Sequence, residues 1–296
     1  MKNLILLIGS LLMTLTMYGQ CYESMLKKGD ALKAQGKYSQ AIECYQDAKG
    51  CKSTNEGVLD ARISACKKAM TSQRNTTNCG TVTDADGNEY KTVLLGSQCW
   101  MAENLRTTHY SDGTSIPQGS SESSTTGYWY YPDGNSGNKR TYGLLYNWAA
   151  VMNGSSSSER NPSGVQGICP TGWHVPSDAE WTQLENYVSS QSKYRCGGDA
   201  KNIAKALAST KGWHGSSSTC AVGKNRSTNN ATGFSAVPAG YYGYSYILFG
   251  CHAGFWSATQ DNSNNAYDRA LTYDYTLVYR DNSLKDLGFS VRCLRD

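Results

Sequence analysis

The segment that most constrains the fold is 169–181, with the sequence CPTGWHVPSDAEW. It contains a capping box, in which the Ser177 hydroxyl accepts a hydrogen bond from the Glu180 amide and the Glu180 carboxylate accepts one from the Ser177 amide. Pro176 stops any helix that arrives from upstream. The sequence therefore predicts a helix that begins after Ser177 and buries one stripe of side chains, formed by Trp181, Leu184 and Val188.

Several other short segments share the composition of this one, because each combines aromatic with small residues and is followed by a polar stretch. They are WMAENL at 100–105, YNW at 146–148, GFSAVP at 233–238, FWSAT at 255–259 and GFSVRC at 288–293. Such a pattern is typical of a rigid scaffold with a tolerant surface and differs from a catalytic constellation.

Taken in order, these segments resemble the Fibrobacter succinogenes major paralogous domain over residues 79–296. The resemblance implies an α+β, C-type-lectin-like mixed domain with an irregular antiparallel sheet and two helices, the fold that formylglycine-generating enzymes also use. It implies that the sheet ends with a strand from Phe289 to Leu294. It also implies a disulfide between Cys169 and Cys293, because the lectin-like fold ties its second helix region to its last strand. A fold alone does not give a function.

The first twenty residues have a charged start, an apolar run from Leu4 to Met17 and a small residue at Gly19. This pattern predicts a signal peptide over 1–20 and an extracytoplasmic protein, whether secreted, periplasmic or on the outer cell surface. The apolar run is shorter than the ~20 residues that a transmembrane helix needs. Cys21 leaves a lipoprotein as a minor alternative, because Gln20 is a poor match to the small residue that precedes a lipidated cysteine.

The chain has eleven cysteines, an odd number that leaves at least one thiol outside the intramolecular disulfides. No pair has the C-x-x-C spacing of a redox or zinc site, so disulfides in an oxidising compartment are the favoured interpretation. The connectivity cannot be read from the sequence. For Cys251 we expect one half of a disulfide and treat a reactive thiol as the alternative.

Residues 21–72 are predicted to form a small all-α module, followed by a polar linker over 73–78. Its small and aromatic residues have the spacing of a tetratricopeptide helix-turn-helix, at Gly29, Leu32, Gly36, Ala41, Tyr45 and Ala48. One such unit is fewer than the ~3 repeats of a free-standing solenoid, which favours a helical spacer over a peptide-binding groove.

From Cys79 the pattern changes to short strands and turns. Thr81–Thr83 and Tyr90–Leu95 predict a hairpin around the aspartate-rich segment 84–88, which lacks the twelfth-position glutamate of a helix-loop-helix calcium site. Asn202–Thr210 predicts a second, alanine-rich helix. The alternation of aromatic and polar residues after Gly233 predicts a set of strands.

No catalytic centre, metal site or cofactor site can be assembled from the sequence. The four histidines lie in separate segments, and His174 is expected to be a packed residue where the predicted helix begins. There is no nucleophile elbow and no phosphate-binding glycine loop. The calcium motifs of sugar-binding lectins and the Gly-Asn-Val-Trp-Glu-Trp motif of formylglycine-generating enzymes are absent as well. The net charge of +4 includes no compact basic block, so we expect no nucleic-acid partner.

The feature that points to a function is the tyrosine content of residues 241–286. Tyrosine gives rigid amphipathic contacts while serine, asparagine and aspartate give adaptable hydrogen bonds, as in antibody paratopes. The candidate contact residues are Tyr244, Tyr246, Tyr273, Tyr275 and Asp281. The segment is also similar to the variable regions of proteins that retroelements diversify. Alternation in and out of strands would bury about half of the tyrosines.

The sequence thus predicts a secreted or cell-surface module that binds a protein or a glycan and has no enzymatic activity. One alternative is an enzyme of the formylglycine-generating type, in which Cys251 would share a cleft with Cys220 or Cys293. The other alternative is a structural cell-envelope protein. The sequence does not indicate an oligomeric state.

Overall fold

The structure, a computed structural model, describes residues 21–35, 37–51, 56–77 and 79–296. It divides the chain into two compact units, Met1–Asn78 and Cys79–Asp296. The expected signal peptide at 1–20 and Gly36 in the expected helical turn lie outside the described residues.

The described residues of the first unit form three helices. They are α1 over 21–34, α2 over Tyr38–Gly50 and α3 over Glu56–Thr77. Helix α3 continues to Thr77 and so includes most of the segment 73–78 that the sequence predicts as a polar linker. A disulfide joins Cys21 to Cys51. The lipoprotein alternative would need the Cys21 sulfur that this disulfide uses.

The core of the first unit is centred on Tyr45, which is fully buried. A Cβ atom added to Gly29 would lie 2.5 Å from Tyr45 Cε1, so only a glycine lets the tyrosine ring lie this close to α1. The Tyr45 hydroxyl donates a hydrogen bond of 2.8 Å to Asp30 Oδ1, and Asp30 also pairs with Arg62. The Tyr45 ring thus fills the space between α1 and α2, in agreement with the tetratricopeptide-like spacing of Gly29 and Tyr45.

The second unit consists of twelve short strands and four short or medium helices. The strands are β1 Thr81–Thr83, β2 Glu89–Leu95, β3 Gln98–Met101, β4 Trp129–Tyr130, β5 Leu145–Tyr146, β6 Trp173–His174, β7 Tyr241–Gly243, β8 Ser245–Ile247, β9 His252–Gln260, β10 Asn265–Thr272, β11 Tyr279–Leu284 and β12 Leu294–Arg295. The helices are α4 Lys139–Tyr142, α5 Trp148–Met152, α6 Asp178–Ser190 and α7 Ala204–Leu207.

These strands form small antiparallel sheets. The largest has the order β1-β2-β3-β12-β6, a second has the order β11-β10-β9, and β4-β5 and β7-β8 are two-stranded. The mixed α+β class expected from the sequence is confirmed.

Helix α6 begins as the sequence predicts. Both hydrogen bonds of the capping box are present, and Trp181, Leu184 and Val188 are buried. The Glu180 carboxylate is buried as well and lies 2.9 Å from His174 Nε2 through its Oε1. His174 is therefore held between two side chains, because its Nδ1 lies 2.6 Å from Asp296 Oδ1.

The turn between β1 and β2 uses its aspartates for local structure. Asp84 Oδ1 accepts hydrogen bonds from the backbone amides of Asp86 at 3.0 Å and Asn88 at 2.9 Å. The Tyr90 hydroxyl donates to the other oxygen of the same carboxylate. These bonds close the hairpin in the register Thr81 opposite Lys91.

Two sequence-based boundaries are wrong. The second helix is predicted over Asn202–Thr210 but covers only Ala204–Leu207, because Ala208 forms a parallel bridge with Ala236. The final strand is predicted over Phe289–Leu294 but is β12, Leu294–Arg295. The preceding residues form single bridges with different partners, Phe289 with Tyr146 and Ser290 with Phe255, so no continuous strand pairing develops there.

Aromatic side chains fill one of the two main core clusters of this unit. Trp100 and Trp181 lie 4.6 Å apart between ring centroids, and Phe234 and Phe255 each lie within 5.9 Å of Trp181. These four rings come from β3, α6, β9 and the 233–238 segment, so the aromatic residues of the short segments noted in the sequence lie in the interior.

Three disulfides lie within the second unit: Cys79–Cys99, Cys169–Cys293 and Cys196–Cys220. The structure thus contains the pair that the family resemblance implied. Cys169 lies shortly before β6 and Cys293 directly precedes β12, and both are fully buried.

We expect the double variant Cys169→Ala/Cys293→Ala to lose about 2–5 kcal/mol of unfolding free energy, because the bridge closes a loop across 124 residues. Removal of the Cys196–Cys220 bridge, whose cysteines are 24 residues apart, should cost roughly 1 kcal/mol less. Urea unfolding of both variants checks this order. A larger loss from the shorter loop would contradict it.

Candidate ligand-binding surface

Large apolar side chains that are exposed concentrate in one segment of the chain. Among the described residues there are six, and five of them lie between positions 244 and 284. They are Val58 in the first unit and Tyr244, Tyr246, Leu248, Tyr275 and Leu284 in the second. We refer to residues 244–284 as the aromatic segment.

Tyr244 lies at the tip of the hairpin formed by β7 and β8. Its φ of +56° places it in the left-handed region, and its side chain is 84 % exposed. The adjacent Tyr242 is buried and stacks on Tyr130 with 3.8 Å between ring centroids. The buried ring of Tyr242 thus anchors the hairpin, whereas the ring of Tyr244 faces solvent.

Tyr246 is less exposed than Tyr244, because it packs on the same anchor. Its ring lies 5.1 Å from that of Tyr242. A Cβ atom added to Gly134 would lie 2.8 Å from Tyr246 Cε2, so the ring covers the backbone of this glycine. Part of the Tyr246 ring is therefore structural and only the remainder can contact a ligand.

Tyr273 and Tyr275 follow β10 and differ in burial. The Tyr273 amide donates to the Cys251 carbonyl at 2.9 Å, and its side chain is half-buried against the aromatic core cluster. Tyr275 is exposed, with its ring 5.3 Å from that of Tyr279. Of these two candidate contacts, Tyr275 is the one that presents most of its ring.

Asp281 is exposed on β11, where it lies directly opposite Asp268 on β10. Asp268 is only 2 % exposed, and its Oδ1 has no hydrogen-bond partner among the described residues. Burial, together with the neighbouring charge of Asp281, raises the pKa of Asp268 to about 7. The candidate contact residue Asp281 therefore lies beside a buried carboxyl group whose pKa is raised.

The five candidate residues form two groups. Tyr244 and Tyr246 belong to the β7–β8 hairpin, whereas Tyr273, Tyr275 and Asp281 follow or belong to β10 and β11. No hydrogen bond or ring contact among the described residues links the two groups.

Sequence reasoning missed the exposed leucines Leu248 and Leu284. Leu284 ends β11 on the face opposite to Ser283. The strand register, which one sequence does not give, was needed to find it. The residues expected to be internal, Trp181, Trp256 and Phe289, are all buried.

Cys251 is a free thiol, so the expectation that it forms half of a disulfide is wrong. Its sulfur lies 3.2 Å from His214 Nδ1. Burial and the nearby Asp274 raise the pKa of the thiol, which disfavours the thiolate. Cys220 and Cys293, its possible partners in a two-cysteine site, are bonded to Cys196 and Cys169.

Neither a metal site nor a membrane-spanning helix is present in the described part of the chain. Within the described ranges, no group of three or more His, Cys, Asp or Glu side chains has the arrangement to hold a metal ion. Nor does any helix there combine the length and the apolar composition that crossing a membrane requires.

We expect Asp268→Asn to become more stable relative to the native protein as the pH rises. Between pH 4 and 7 the unfolded carboxyl group loses its proton while the folded one keeps it, so the native protein loses stability as the pH increases. The asparagine variant avoids this loss, which amounts to at most about 4 kcal/mol at 1.36 kcal/mol per pKa unit.

Urea unfolding at pH 4, 6 and 8 measures the difference. Asp133→Asn, at an exposed turn position, is the matched control and should change stability by less than about 0.5 kcal/mol at each pH. A pH-independent difference for Asp268→Asn would contradict the prediction.

Comparison with known proteins identifies one family. The model of the Fibrobacter succinogenes major domain matches residues 93–295, which is more than half of the chain. The matched region includes the aromatic segment, the aromatic core cluster and the Cys169–Cys293 disulfide. The comparison with curated proteins found no match, and neither did the comparison with solved structures. The chain belongs to the Fibrobacter succinogenes major domain family.

Proposed function

We propose that this protein is an extracytoplasmic ligand-binding module and that the aromatic segment recognises a protein or a glycan. The observation that carries the proposal is the concentration of exposed apolar side chains between positions 244 and 284. Single exposed hydrophobic residues are common on monomeric proteins, whereas contiguous exposed apolar patches mark interaction surfaces. The exposed side chains of the aromatic segment are the candidates for such a patch.

The chemistry of the segment supports a binding role. Truncation of a tyrosine that is an interface hot spot costs ~2 kcal/mol or more of binding free energy, because the ring gives a large contact at a low entropic cost. Tyr244 and Tyr275 present such rings to solvent. Asp281 and Asn282 on β11 are also exposed and supply hydrogen-bonding groups.

The scaffold supports the same proposal. The four disulfides and the family fit an extracellular module. Within the aromatic segment the backbone is held by buried rings such as Trp256, whose Nε1 donates to the Tyr146 carbonyl at 2.8 Å. Exposed side chains between these anchors can change without loss of the fold, which also suits a diversified variable protein.

We expect Tyr244→Ala to leave the unfolding free energy within about 0.5 kcal/mol of the native value, because the ring is exposed. Tyr242→Ala should cost about 3 kcal/mol or more, because it removes a buried ring stacked on Tyr130. Chemical denaturation of the two variants separates the anchor from the presented residue. Equal losses would show that Tyr244 is structural.

Binding itself is tested on a glycan array and on a panel of purified extracellular glycoproteins. The double variant Tyr244→Ala/Tyr275→Ala should weaken any binding of the native chain by at least about tenfold, a change of 1.4 kcal/mol. Tyr194→Ala, which alters a half-buried tyrosine outside the segment, is the matched control and should bind normally. Normal binding by the double variant together with weakened binding by Tyr194→Ala would refute the proposed surface.

We further propose that the module has no enzymatic activity, against the alternative of a formylglycine-generating type of enzyme. That alternative needs two reactive cysteines in one cleft. In the second unit Cys251 is the single free cysteine, and its thiol has a raised pKa. The free cysteines of the first unit, Cys44 and Cys66, are buried.

Thiol titration of the folded protein should therefore modify one cysteine, Cys251, and should modify three after unfolding without reductant. The rate at Cys251 should increase with pH up to and above the ordinary thiol pKa, because burial disfavours the thiolate. Cys251→Ser is the control and should abolish the reaction of the folded protein. Two rapidly reacting thiols in residues 79–296 would favour the enzyme.

A further inference from the structure

A concave site lies in the same unit. It is lined by Lys91 of β2, by residues that follow β3, by α4, by the segment 230–237 and by Arg292. Its volume is about 390 Å³. The charged side chains that line it are Lys91, Glu103, Arg106, Arg140 and Arg292. Four cations and one carboxylate give the pocket a net charge of +3, and no residue of the aromatic segment lines it.

The innermost cation, Arg292, is fully buried and bonds only neutral acceptors. Its Nε donates to Asn104 Oδ1 at 2.7 Å, and its two terminal nitrogens donate to the carbonyls of Met101 at 2.9 Å, Phe234 at 2.6 Å and Ser235 at 2.9 Å. Buried charges are normally paired with an opposite charge. Here no carboxylate of the described residues lies within bonding distance, and burial lowers the pKa of Arg292 to about 9.

The other cations differ in whether their charged groups already have bonding partners. Arg106 pairs with Glu103 at 3.2 Å and lies over the Tyr90 ring at 4.4 Å, so it is held in place. Arg140 and Lys91 are exposed, and neither side chain forms an ion pair or hydrogen bond with a described residue. Two cationic groups at the edge of the pocket are therefore available to a ligand.

The close approach of α4 to this site depends on Gly143. Its φ is +78°, and an added Cβ atom would lie 2.6 Å from Asn104 Cβ and 2.7 Å from the Leu105 carbonyl oxygen. Any other residue would move the chain away from Asn104, the partner of Arg292. The glycine thus keeps Arg140 and Thr141 over the buried guanidinium.

We propose that this pocket binds a monosaccharide unit that carries an oxyanion, a carboxylate or a sulfate. The unpaired cations Lys91 and Arg140 bond the oxyanion, and the buried Arg292 adds a favourable potential from below. The uncharged side chains of the lining include the short polar residues Thr141, Asn230 and Ser235, which bond hydroxyl groups. The volume is in the range of small-molecule sites.

Isothermal titration calorimetry of the full chain at low ionic strength tests the proposal, with glucuronate, glucose 6-sulfate, glucose and inorganic sulfate as ligands. We expect at least one of the two acidic sugars to bind, glucose not to bind, and inorganic sulfate to bind more weakly than the acidic sugar. Which acidic sugar binds identifies the oxyanion. Affinity should fall as salt is added, because the contacts are charged and near the surface.

The variants Lys91→Gln and Arg140→Gln should each weaken binding about tenfold, as expected for the loss of a charge-assisted hydrogen bond. Both side chains are exposed, so the variants should keep the native melting temperature. Lys193→Gln, an exposed lysine outside the pocket, is the matched control and should bind like the native chain.

Three results would overturn the proposal. The first is no binding of either acidic sugar. The second is binding of glucose or inorganic sulfate as tight as that of the acidic sugar. The third is unchanged affinity in both Lys91→Gln and Arg140→Gln. None of these depends on the aromatic segment, so the failure of this proposal and that of the proposed function are distinguishable.

Discussion

The buried guanidinium of Arg292 is the contact on which the second unit most depends. It bonds the Met101 carbonyl and the Asn104 side chain in one segment and the Phe234 carbonyl in another. Together with the segment of Arg292 itself, three parts of the chain that are far apart in the sequence are joined. The flanking backbone continues the connection, because the Met101 amide donates to the Cys293 carbonyl and the Leu105 amide to the Val291 carbonyl. Loss of this side chain would leave several buried carbonyls without donors, each at a cost of about 1–3 kcal/mol.

This arrangement links stability to the proposed recognition in two ways. The buried contacts fix the backbone, so that Tyr244 and Tyr275 in the aromatic segment are free to face solvent. The neutral partners of Arg292 leave its charge uncompensated beneath a basic pocket. One scaffold therefore presents two surfaces of different chemistry, one aromatic and one cationic.

Short sequence patterns correctly predicted the elements that depend on residues close together in the chain. The capping box at Ser177 and Glu180 needs only residues three apart, and the β1–β2 hairpin is closed by Asp84 within its own turn. The predictions that failed involve competition from distant residues. Helix α7 ends early because Ala208 pairs with Ala236, and the segment 289–293 pairs with several strands in place of one.

The sequence by itself determined the family, the α+β class and the division of residues into buried aromatic segments and a tyrosine-rich surface, because these depend on composition and short-range periodicity. Only the tertiary structure decided that Tyr273 is half-buried, that Asp268 lies opposite Asp281, and that Lys91, Arg140 and Arg292 share a pocket. Strand register and loop packing bring these residues together. Both arise from contacts between positions far apart in the chain, which no local pattern encodes.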